Sequence, residues 1–207
     1  MELIEHLQMA NWPRGGACAV VAYFIGCFTT GYYLVRARTG KDIRETGSGS
    51  AGARNVGRLL GKPGFFITVF GDFAKGMVAV MLARRLSNDD FCAALAVLGV
   101  VAGHLWPVQL KFRGGKGVTT SMAALLAFDY RVALTTAALF AVIFIFARKT
   151  LLPAMFAFVC LPWTCWFFTH NDVVTCAMTA LAAAILFAHR KNLAEEFVTL
   201  KSEHRKV

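Results

Sequence analysis

Charged residues are scarce in this chain of 207 residues. Asp, Glu, Lys and Arg together make up 16% of the sequence, hydrophobic residues make up 57%, and the mean hydropathy is +0.55. Soluble domains carry roughly 25% charged residues, so the composition excludes a chain built from ordinary soluble domains. Apolar runs follow one another along nearly the whole sequence, and one bilayer crossing needs about 20 apolar residues. We therefore expect a single integral-membrane domain over residues 1–207.

Metal and disulfide motifs are also missing. The six cysteines all lie inside apolar runs, no CxxC occurs, and no Cys/His pair has the spacing of a zinc site. Cysteines in such positions usually serve as small buried hydrophobic residues. We therefore expect no disulfide, no metal and no cofactor.

Basic tracts with interleaved aromatic residues are absent outside the apolar runs. The net charge of +10 is explained by loops that are basic next to anionic lipid headgroups, so we expect a phospholipid bilayer and no nucleic acid as partner. The segment before the first apolar run lacks the pattern of a secretory signal peptide, which predicts that this run is retained as a span. No internal repeat stands out, and no pattern indicates an oligomeric state.

The apolar runs predict an all-α polytopic membrane protein with about seven transmembrane helices, one of them short or broken. The runs are Ala17–Val35, Phe65–Ala83, Phe91–Leu110, Val118–Phe128, Val132–Ala147, Leu151–Thr169 and Val173–Ala188. Val118–Phe128 is too short to cross a bilayer alone. It is either a broken helix inside the bundle or a span that neighbouring residues prolong.

Most of the 22 Lys and Arg residues fall in alternate loops. With the N-terminus outside, the inner segments hold Arg36, Arg38, Lys41, Arg44, Arg54, Arg58, Lys62, Lys111, Arg113, Lys116, Arg148, Lys149, Arg190, Lys191, Lys201, Arg205 and Lys206. Arg14, Arg84, Arg85 and Arg131 would lie outside. The positive-inside rule therefore predicts an N-terminus outside and a cytoplasmic C-terminus.

The loop Asp42–Arg58 combines glycines with polar and basic side chains. Glycines let the backbone approach a ligand closely, and successive N–H groups can form an anion-binding turn. Ser48 and Asn55 add hydrogen-bonding groups, and Arg58 adds a forked cation suited to phosphate. The pattern favours phosphate binding, and a purely structural turn is the alternative.

Two apolar runs carry Asp, Lys or His residues. Asp72 and Lys75 are three residues apart and share a helix face, so they can form an ion pair. Charges at this depth usually face the bundle interior or an aqueous pocket, which leaves a structural ion pair and a role in the site both open. His104 lies near the cytoplasmic end of its run, either as part of the site or as a core histidine that bonds a backbone carbonyl.

Gly114, Gly115, Lys116 and Gly117 form a turn that resembles a phosphate cradle. The turn is not a Walker A motif, because the earlier glycine and the preceding strand are missing. His189 and Asn192 are three residues apart where the last run ends, so they share a helix face. Under the predicted topology all these motifs lie at the cytoplasmic face, which indicates a ligand that is anionic at one end and apolar at the other.

From about Gly26 to Asn192, these motifs together resemble the bacterial membrane acyl-phosphate:glycerol-3-phosphate acyltransferases. The resemblance implies seven spans in the inner membrane and transfer of a fatty acyl group from acyl phosphate to the sn-1 hydroxyl of glycerol-3-phosphate, which gives lysophosphatidate and phosphate for phospholipid biosynthesis. By position, the expected catalytic residues are Ser48, Lys116, His189 and Asn192. The expected substrate-binding residues are Arg58, Asn55, Gly114, Gly115, Gly117, Asp72, Lys75 and His104.

Some positions depart from the family pattern. The chain reads Ser50-Ala51-Gly52-Ala53-Arg54-Asn55 where the family usually has Asn-Pro-Gly-Ala-Thr-Asn, and the serines usual after the fifth span are missing at Leu151 and Ala154. These changes leave open a different acceptor or a catalytically inactive paralogue. A transporter of an anionic solute is a further alternative, because the short fourth segment and Pro107 also fit the broken helices of transporters.

Overall fold

The computed structural model describes residues 10–204, and most of that range is helical. The helices are α1 Trp12–Cys27, α2 Thr30–Thr39, α3 Ala53–Leu86, α4 Asp90–Leu105, α5 Val118–Phe128, α6 Tyr130–Ala147, α7 Leu151–Thr169 and α8 Asp172–His204. Short 3₁₀ helices cover Ile43–Glu45 and Val108–Leu110. The predicted all-α fold class is confirmed. Residues 1–9, which begin the segment judged to lack a signal peptide, and Arg205 and Lys206 of the orientation argument lie outside the described residues.

Within the described residues, six segments are long and apolar enough to cross a membrane. They are Trp12–Thr39, Ala53–Leu86, Asp90–Leu110, Tyr130–Ala147, Leu151–Thr169 and Asp172–Thr199. The seventh apolar helix, Val118–Phe128, has 11 residues and is shorter than a usual span. The prediction of about seven membrane helices, one of them short, is therefore confirmed.

The first apolar run is divided by a break between α1 and α2. Phe28 and Thr29 leave the helical conformation there, with ψ angles of 98° and 94°. The break exposes carbonyl oxygens inside the bundle, and the ammonium of Lys75 donates to the Phe28 oxygen at 2.8 Å. The hydrophobic pattern predicted one continuous span here, because a break satisfied by a distant lysine leaves no mark in local hydropathy.

Helix α3 is interrupted near its start. Gly61 has φ 71° and ψ −168°, a conformation that glycine adopts without the steric penalty of a side chain. Pro63 follows two residues later, where its fixed φ suits the start of the next helical segment. The first two turns of α3 are therefore a separate segment, and they carry Arg54 and Arg58.

Helix α4 lies at the centre of the bundle. In its span 72% of the most apolar stretch is buried, whereas only 17% is buried in the α6 span, which lies at the periphery. A Cβ atom at Gly99 would lie 2.2 Å from the carbonyl oxygen of Ala19, and one at Gly103 would lie 2.0 Å from that of Tyr23. Helices α1 and α4 therefore pack backbone against backbone, as small residues allow in membrane bundles, and this packing holds the His104 end of α4 in place.

Candidate active site

A cavity of about 870 Å³ lies where the loops after α2, α4 and α6 meet the C-terminal half of α8. Its polar lining includes Ser48, Asn55, Arg58, Asp72, His104, Lys116, His189 and Asn192. Its apolar lining includes Phe65, Val69, Val118, Phe140, Leu151, Ala154 and Met155. The structure thus brings together the four sequence segments that were predicted to share one face of the membrane.

The cavity extends deep into the bundle, which explains why α5 is short. Gly117, the residue before α5, lines the cavity together with Asp72, which lies near the middle of α3. At the other end of α5, the carbonyl oxygen of Phe128 accepts a hydrogen bond from Arg84 near the C-terminus of α3. Eleven residues, about 16 Å of helix, therefore reach from the inner part of the cavity to the opposite end of the bundle.

Asn55 organises the loop that carries Ser48. It lies in the first turn of α3 with a relative exposure of 2%. Its Nδ2 donates to the carbonyl oxygens of Ile43 at 3.1 Å, Thr46 at 2.9 Å and Ser50 at 3.0 Å. Its Oδ1 accepts from the backbone N–H of Ser48 at 3.0 Å. The amide therefore fixes the loop conformation that presents the exposed Ser48 side chain at the cavity.

The loops after α2 and α4 are tied to each other. The backbone N–H of Ala51 donates to the Gly114 oxygen at 3.2 Å, and Arg44 donates to the Leu110 oxygen at 2.5 Å. Arg44 also pairs with Asp42 at 2.6 Å. This pairing lowers the pKa of the Asp42 carboxyl and raises that of the Arg44 guanidinium. The two loops therefore form one connected wall of the cavity.

The glycine turn before Lys116 folds back against the end of α4. The N–H groups of Gly114 and Gly115 donate to the carbonyl oxygens of Leu105 at 3.1 Å and His104 at 3.0 Å, which belong to the last turn of α4. A Cβ at Gly115 would lie 2.1 Å from Nε2 of His104. Gly114 and Gly115 thus let the turn lie against the histidine, and of the three glycines only Gly117, with φ +84°, lines the cavity.

A buried cluster of three polar side chains, Asp72, Lys75 and His104, lies at the inner end of the cavity. The Lys75 ammonium lies 2.9 Å from Asp72 Oδ1 and 2.7 Å from Nδ1 of His104, and Asp72 Oδ1 lies 3.6 Å from that Nδ1. The predicted pairing of Asp72 with Lys75 is confirmed. Because an ammonium can only donate, Nδ1 of His104 accepts and the ring proton resides on Nε2. Asp72 and His104 line the cavity, and Lys75 supports them from behind.

His189 and Asn192 face the cavity from α8, as their spacing predicted. Nδ1 of His189 lies 2.9 Å from the carbonyl oxygen of Ile185. A carbonyl can only accept, so Nδ1 carries the proton of the neutral ring and Nε2 is left as an acceptor. Oδ1 of Asn192 accepts a hydrogen bond from the Lys116 ammonium, which leaves the Asn192 amide N–H groups available for a ligand.

Lys116 lies among charges of both signs, from Glu195, Arg54 and Arg58. Its pKa is lowered first by burial and then by the nearby charges of Arg54 and Arg58, whereas the charge of Glu195 opposes the shift. Arg54, Arg58 and Lys116 nevertheless line one cavity, and their positive charges favour an anionic group such as phosphate.

Two contacts among residues that line the cavity were not predicted from the sequence. Arg54 Nη2 donates to Oγ1 of Thr150 at 2.7 Å, and Lys149 pairs with Glu196 at 3.4 Å. The predicted topology could have indicated them, because it places the α6–α7 loop on the same side of the membrane as the other basic loops. Within residues 10–204 no three His, Cys, Asp or Glu side chains are grouped so as to hold a metal ion.

Comparison with known proteins matches most of this chain to one family. Residues 16–197 match the family described as glycerol-3-phosphate acyltransferase. A glycerol-3-phosphate acyltransferase 1 of Bacillus cereus is 36% identical over 172 residues, which cover 83% of this chain and 92% of the relative. The glycerol-3-phosphate acyltransferase of Clostridioides difficile is 38% identical over 180 residues, with 84% and 88% covered.

Solved structures agree with these sequence matches. PlsY (YgiH), described as an integral membrane glycerol 3-phosphate acyltransferase, was crystallised in a glycerol 3-phosphate form. That form superposes with a TM-score of 0.80 and 28% identity, covering 89% of this chain and 92% of PlsY. Its lysophosphatidic acid form gives a TM-score of 0.77 and 26% identity with the same coverage.

Proposed function

The chain belongs to the glycerol-3-phosphate acyltransferase family, and we propose that it transfers a fatty acyl group from acyl phosphate to the sn-1 hydroxyl of glycerol-3-phosphate. The products are lysophosphatidate and inorganic phosphate. The chain is a multi-pass membrane protein, and we place it in the bacterial inner membrane with its N-terminus outside and its cavity open to the cytoplasm. One observation carries the proposal: a single cavity has both a polar and an apolar side. Its polar rim contains the cations Arg54, Arg58 and Lys116 next to Gly117, and its apolar wall consists of Phe65, Phe140, Leu151, Ala154 and Met155.

The lining of the cavity suits both substrates. Arg58 from α3 and Lys116 from the loop before α5 offer cations for phosphate oxygens, and charge-assisted hydrogen bonds of this kind are the strong ones. Phe65, Phe140 and Met155 line the same cavity and offer an apolar surface for an acyl chain. A water-soluble phosphate and a lipid-soluble chain can therefore meet in one volume.

The reaction needs positioning more than activation. The sn-1 hydroxyl oxygen attacks the carbonyl carbon of the acyl phosphate, and the bond from that carbon to the phosphate oxygen breaks. The departing phosphate takes up the hydroxyl proton, so atoms and charges balance without a separate base from the protein. Acyl phosphate is already an activated mixed anhydride, and holding two reactants in line can supply much of the rate.

We assign roles to the predicted catalytic residues from their geometry. Lys116 and Asn192 bind the phosphate of glycerol-3-phosphate, Lys116 through its charge and Asn192 through its amide N–H groups. Nε2 of His189 accepts a hydrogen bond from a glycerol hydroxyl, and the exposed Ser48 hydroxyl binds from the opposite loop.

The other predicted substrate-binding residues act on the shape of the cavity. Gly114 and Gly115 keep the turn against His104, and Gly117 directs Lys116 towards the cavity. Asn55 holds the Ser48 loop through its hydrogen bonds.

Turnover by the purified protein tests the proposal. We expect the wild type, given acyl phosphate and glycerol-3-phosphate, to release phosphate and form lysophosphatidate. Lys116→Ala and Arg58→Ala should each lower kcat/KM by about 100-fold, which is within the range expected when hydrogen bonds to a charged group are lost. Lys62→Ala, an exposed lysine of α3 that does not line the cavity, is the matched control. A wild type without turnover whose proteoliposomes take up a phosphorylated solute would establish the transporter alternative instead.

Orientation is tested separately with a membrane-impermeant thiol reagent. Ser48→Cys at the cavity should react only when the cytoplasmic face is accessible, and Asn88→Cys in the α3–α4 turn should react only from the outside. The unmodified chain, whose Cys176 is exposed, sets the background labelling. Reaction of Ser48→Cys from the outside would reverse the proposed orientation.

A further inference from the structure

Arg54 is a cation of the cavity to which the preceding mechanism gives no role. It lies in the first turn of α3, and its side chain is exposed. One nitrogen, Nη2, donates to Oγ1 of Thr150 at 2.7 Å. Within the described residues the guanidinium makes no other hydrogen bond, so most of its five N–H donors are available to a ligand in the cavity.

The contact with Thr150 places Arg54 at the boundary between the polar rim and the apolar wall. Thr150 immediately precedes α7, whose residues Leu151, Ala154 and Met155 line the cavity with apolar groups. The Lys116–Asn192 pair instead joins the loop before α5 to α8. The cavity therefore has one cationic position, Arg54, at the start of α7 and its apolar lining, and another, Lys116, that contacts the polar Asn192 of α8.

Arg54 and Lys116 are close enough to influence each other. The positive charge of Arg54 is among the causes that lower the pKa of Lys116. Two cations held near each other in a partly buried cavity repel, and anionic groups that bind between or beside them relieve the repulsion. The proposed reaction brings two phosphate groups into the cavity, which is a reason for the chain to carry more than one cationic position.

We infer that Arg54, with Thr150 beside it, binds the phosphate of the acyl phosphate donor, while Lys116 and Asn192 bind the phosphate of glycerol-3-phosphate. This inference rests on the proposed function. In the donor the phosphate is bonded directly to the acyl group, so its cation must lie next to the apolar wall. The position of Arg54 meets that requirement, and the planar fork of arginine suits two phosphate oxygens at once.

Separate Michaelis constants for the two substrates test the inference. Arg54→Ala should raise the KM for acyl phosphate by about ten-fold, the size expected for losing hydrogen bonds to a charged group, and leave the KM for glycerol-3-phosphate within about two-fold. Arg54→Lys should recover part of the donor KM, because the charge remains while the fork is lost. Thr150→Val tests the hydroxyl separately and should have a smaller effect in the same direction. Lys62→Ala is the control for loss of one positive charge on α3.

Inhibition by inorganic phosphate is a second measurement. Phosphate should compete with acyl phosphate, and Arg54→Ala should weaken this inhibition by about ten-fold. Equal increases in both KM values, or an unchanged donor KM in a folded Arg54→Ala protein, would overturn the inference while wild-type turnover leaves the proposed function in place. Absence of wild-type turnover would overturn the proposed function itself.

Discussion

The ammonium of Lys116 donates a hydrogen bond to the side-chain oxygen of Asn192, across 76 positions of the sequence. The contact joins the loop before α5 to the C-terminal half of α8 and leaves the N–H groups of Asn192 available. We predict that Asn192→Asp impairs glycerol-3-phosphate binding more than Asn192→Ala does. The aspartate would place a carboxylate beside Lys116 and repel the phosphate, whereas alanine only removes donors. The measurement is the KM for glycerol-3-phosphate, and a smaller increase for Asn192→Asp than for Asn192→Ala would contradict it.

The pH dependence of the reaction should report Lys116. Burial, then the charges of Arg54 and Arg58, hold the pKa of Lys116 below its ordinary value. As the pH rises through this lowered pKa, the ammonium loses its proton and its attraction for phosphate. We therefore expect kcat/KM for glycerol-3-phosphate to decline on the alkaline side, at a lower pH than an exposed lysine would cause.

Three variants identify the group behind this alkaline decline. Lys116→Arg should remove it, because a guanidinium stays charged throughout the range. Arg54→Ala should move it to higher pH, since the charge of Arg54 lowers the pKa of Lys116, and Glu195→Gln should move it to lower pH, since the charge of Glu195 raises that pKa. An alkaline limb that stays at the same pH in all three proteins would exclude Lys116 as its source.

We expect Asn55→Ala to lower the stability of the protein rather than its affinity for glycerol-3-phosphate. Its amide bonds three backbone oxygens and the N–H of Ser48. Asn55→Ala would remove all four hydrogen bonds and take the donor from the oxygen of the buried Ser50, although the Ile43 and Thr46 oxygens keep bonds from the Thr46 and Gly49 N–H groups. We expect a loss of about 1–3 kcal/mol in the free energy of unfolding, measured as a lower thermal midpoint in detergent. Ser48→Ala, which keeps the loop hydrogen bonds, is the control and should leave the midpoint unchanged. A normal midpoint with a raised glycerol-3-phosphate KM would show instead that Asn55 binds substrate directly.

The Asp72–Lys75 pair should show strong coupling in a double-mutant cycle. Both side chains are almost fully buried and lie 2.9 Å apart. Lys75→Met would leave the Asp72 carboxylate without its counter-ion and should cost about 3–5 kcal/mol. Asp72→Asn combined with Lys75→Met should recover part of that loss, because no unpaired charge remains, while the Phe28 oxygen and Nδ1 of His104 still lose the Lys75 donor. Thermal unfolding of the four proteins measures the coupling, and additive losses from the two single changes would contradict it.

Much of the fold follows from hydropathy read along the chain. The predicted runs Val118–Phe128 and Leu151–Thr169 coincide with α5 and α7 at both ends. The division of the first run at Phe28 and Thr29 was not predicted. It depends on a partner for the freed carbonyl oxygen, which Lys75 supplies from α3, and local sequence does not reveal such a partner.

Some features of the candidate site were likewise predicted from the sequence, and others were not. The spacing of Asp72 and Lys75 and that of His189 and Asn192 predicted shared helix faces, and both predictions are confirmed. The role of Gly114 and Gly115 in bonding the end of α4 was not predicted, because a glycine turn with free N–H groups and one with occupied N–H groups have the same sequence.

By itself the sequence determined which segments are helical and apolar, because the preference of a segment for lipid depends on its own side chains. It also determined which loops carry the cations. Only the tertiary structure decided which side chain each cation contacts: Lys75 contacts His104, Arg54 contacts Thr150, and Lys116 contacts Asn192. Each contact depends on how the helices pack to within a few ångströms, and that packing is set by all of the helix interfaces together rather than by any one segment.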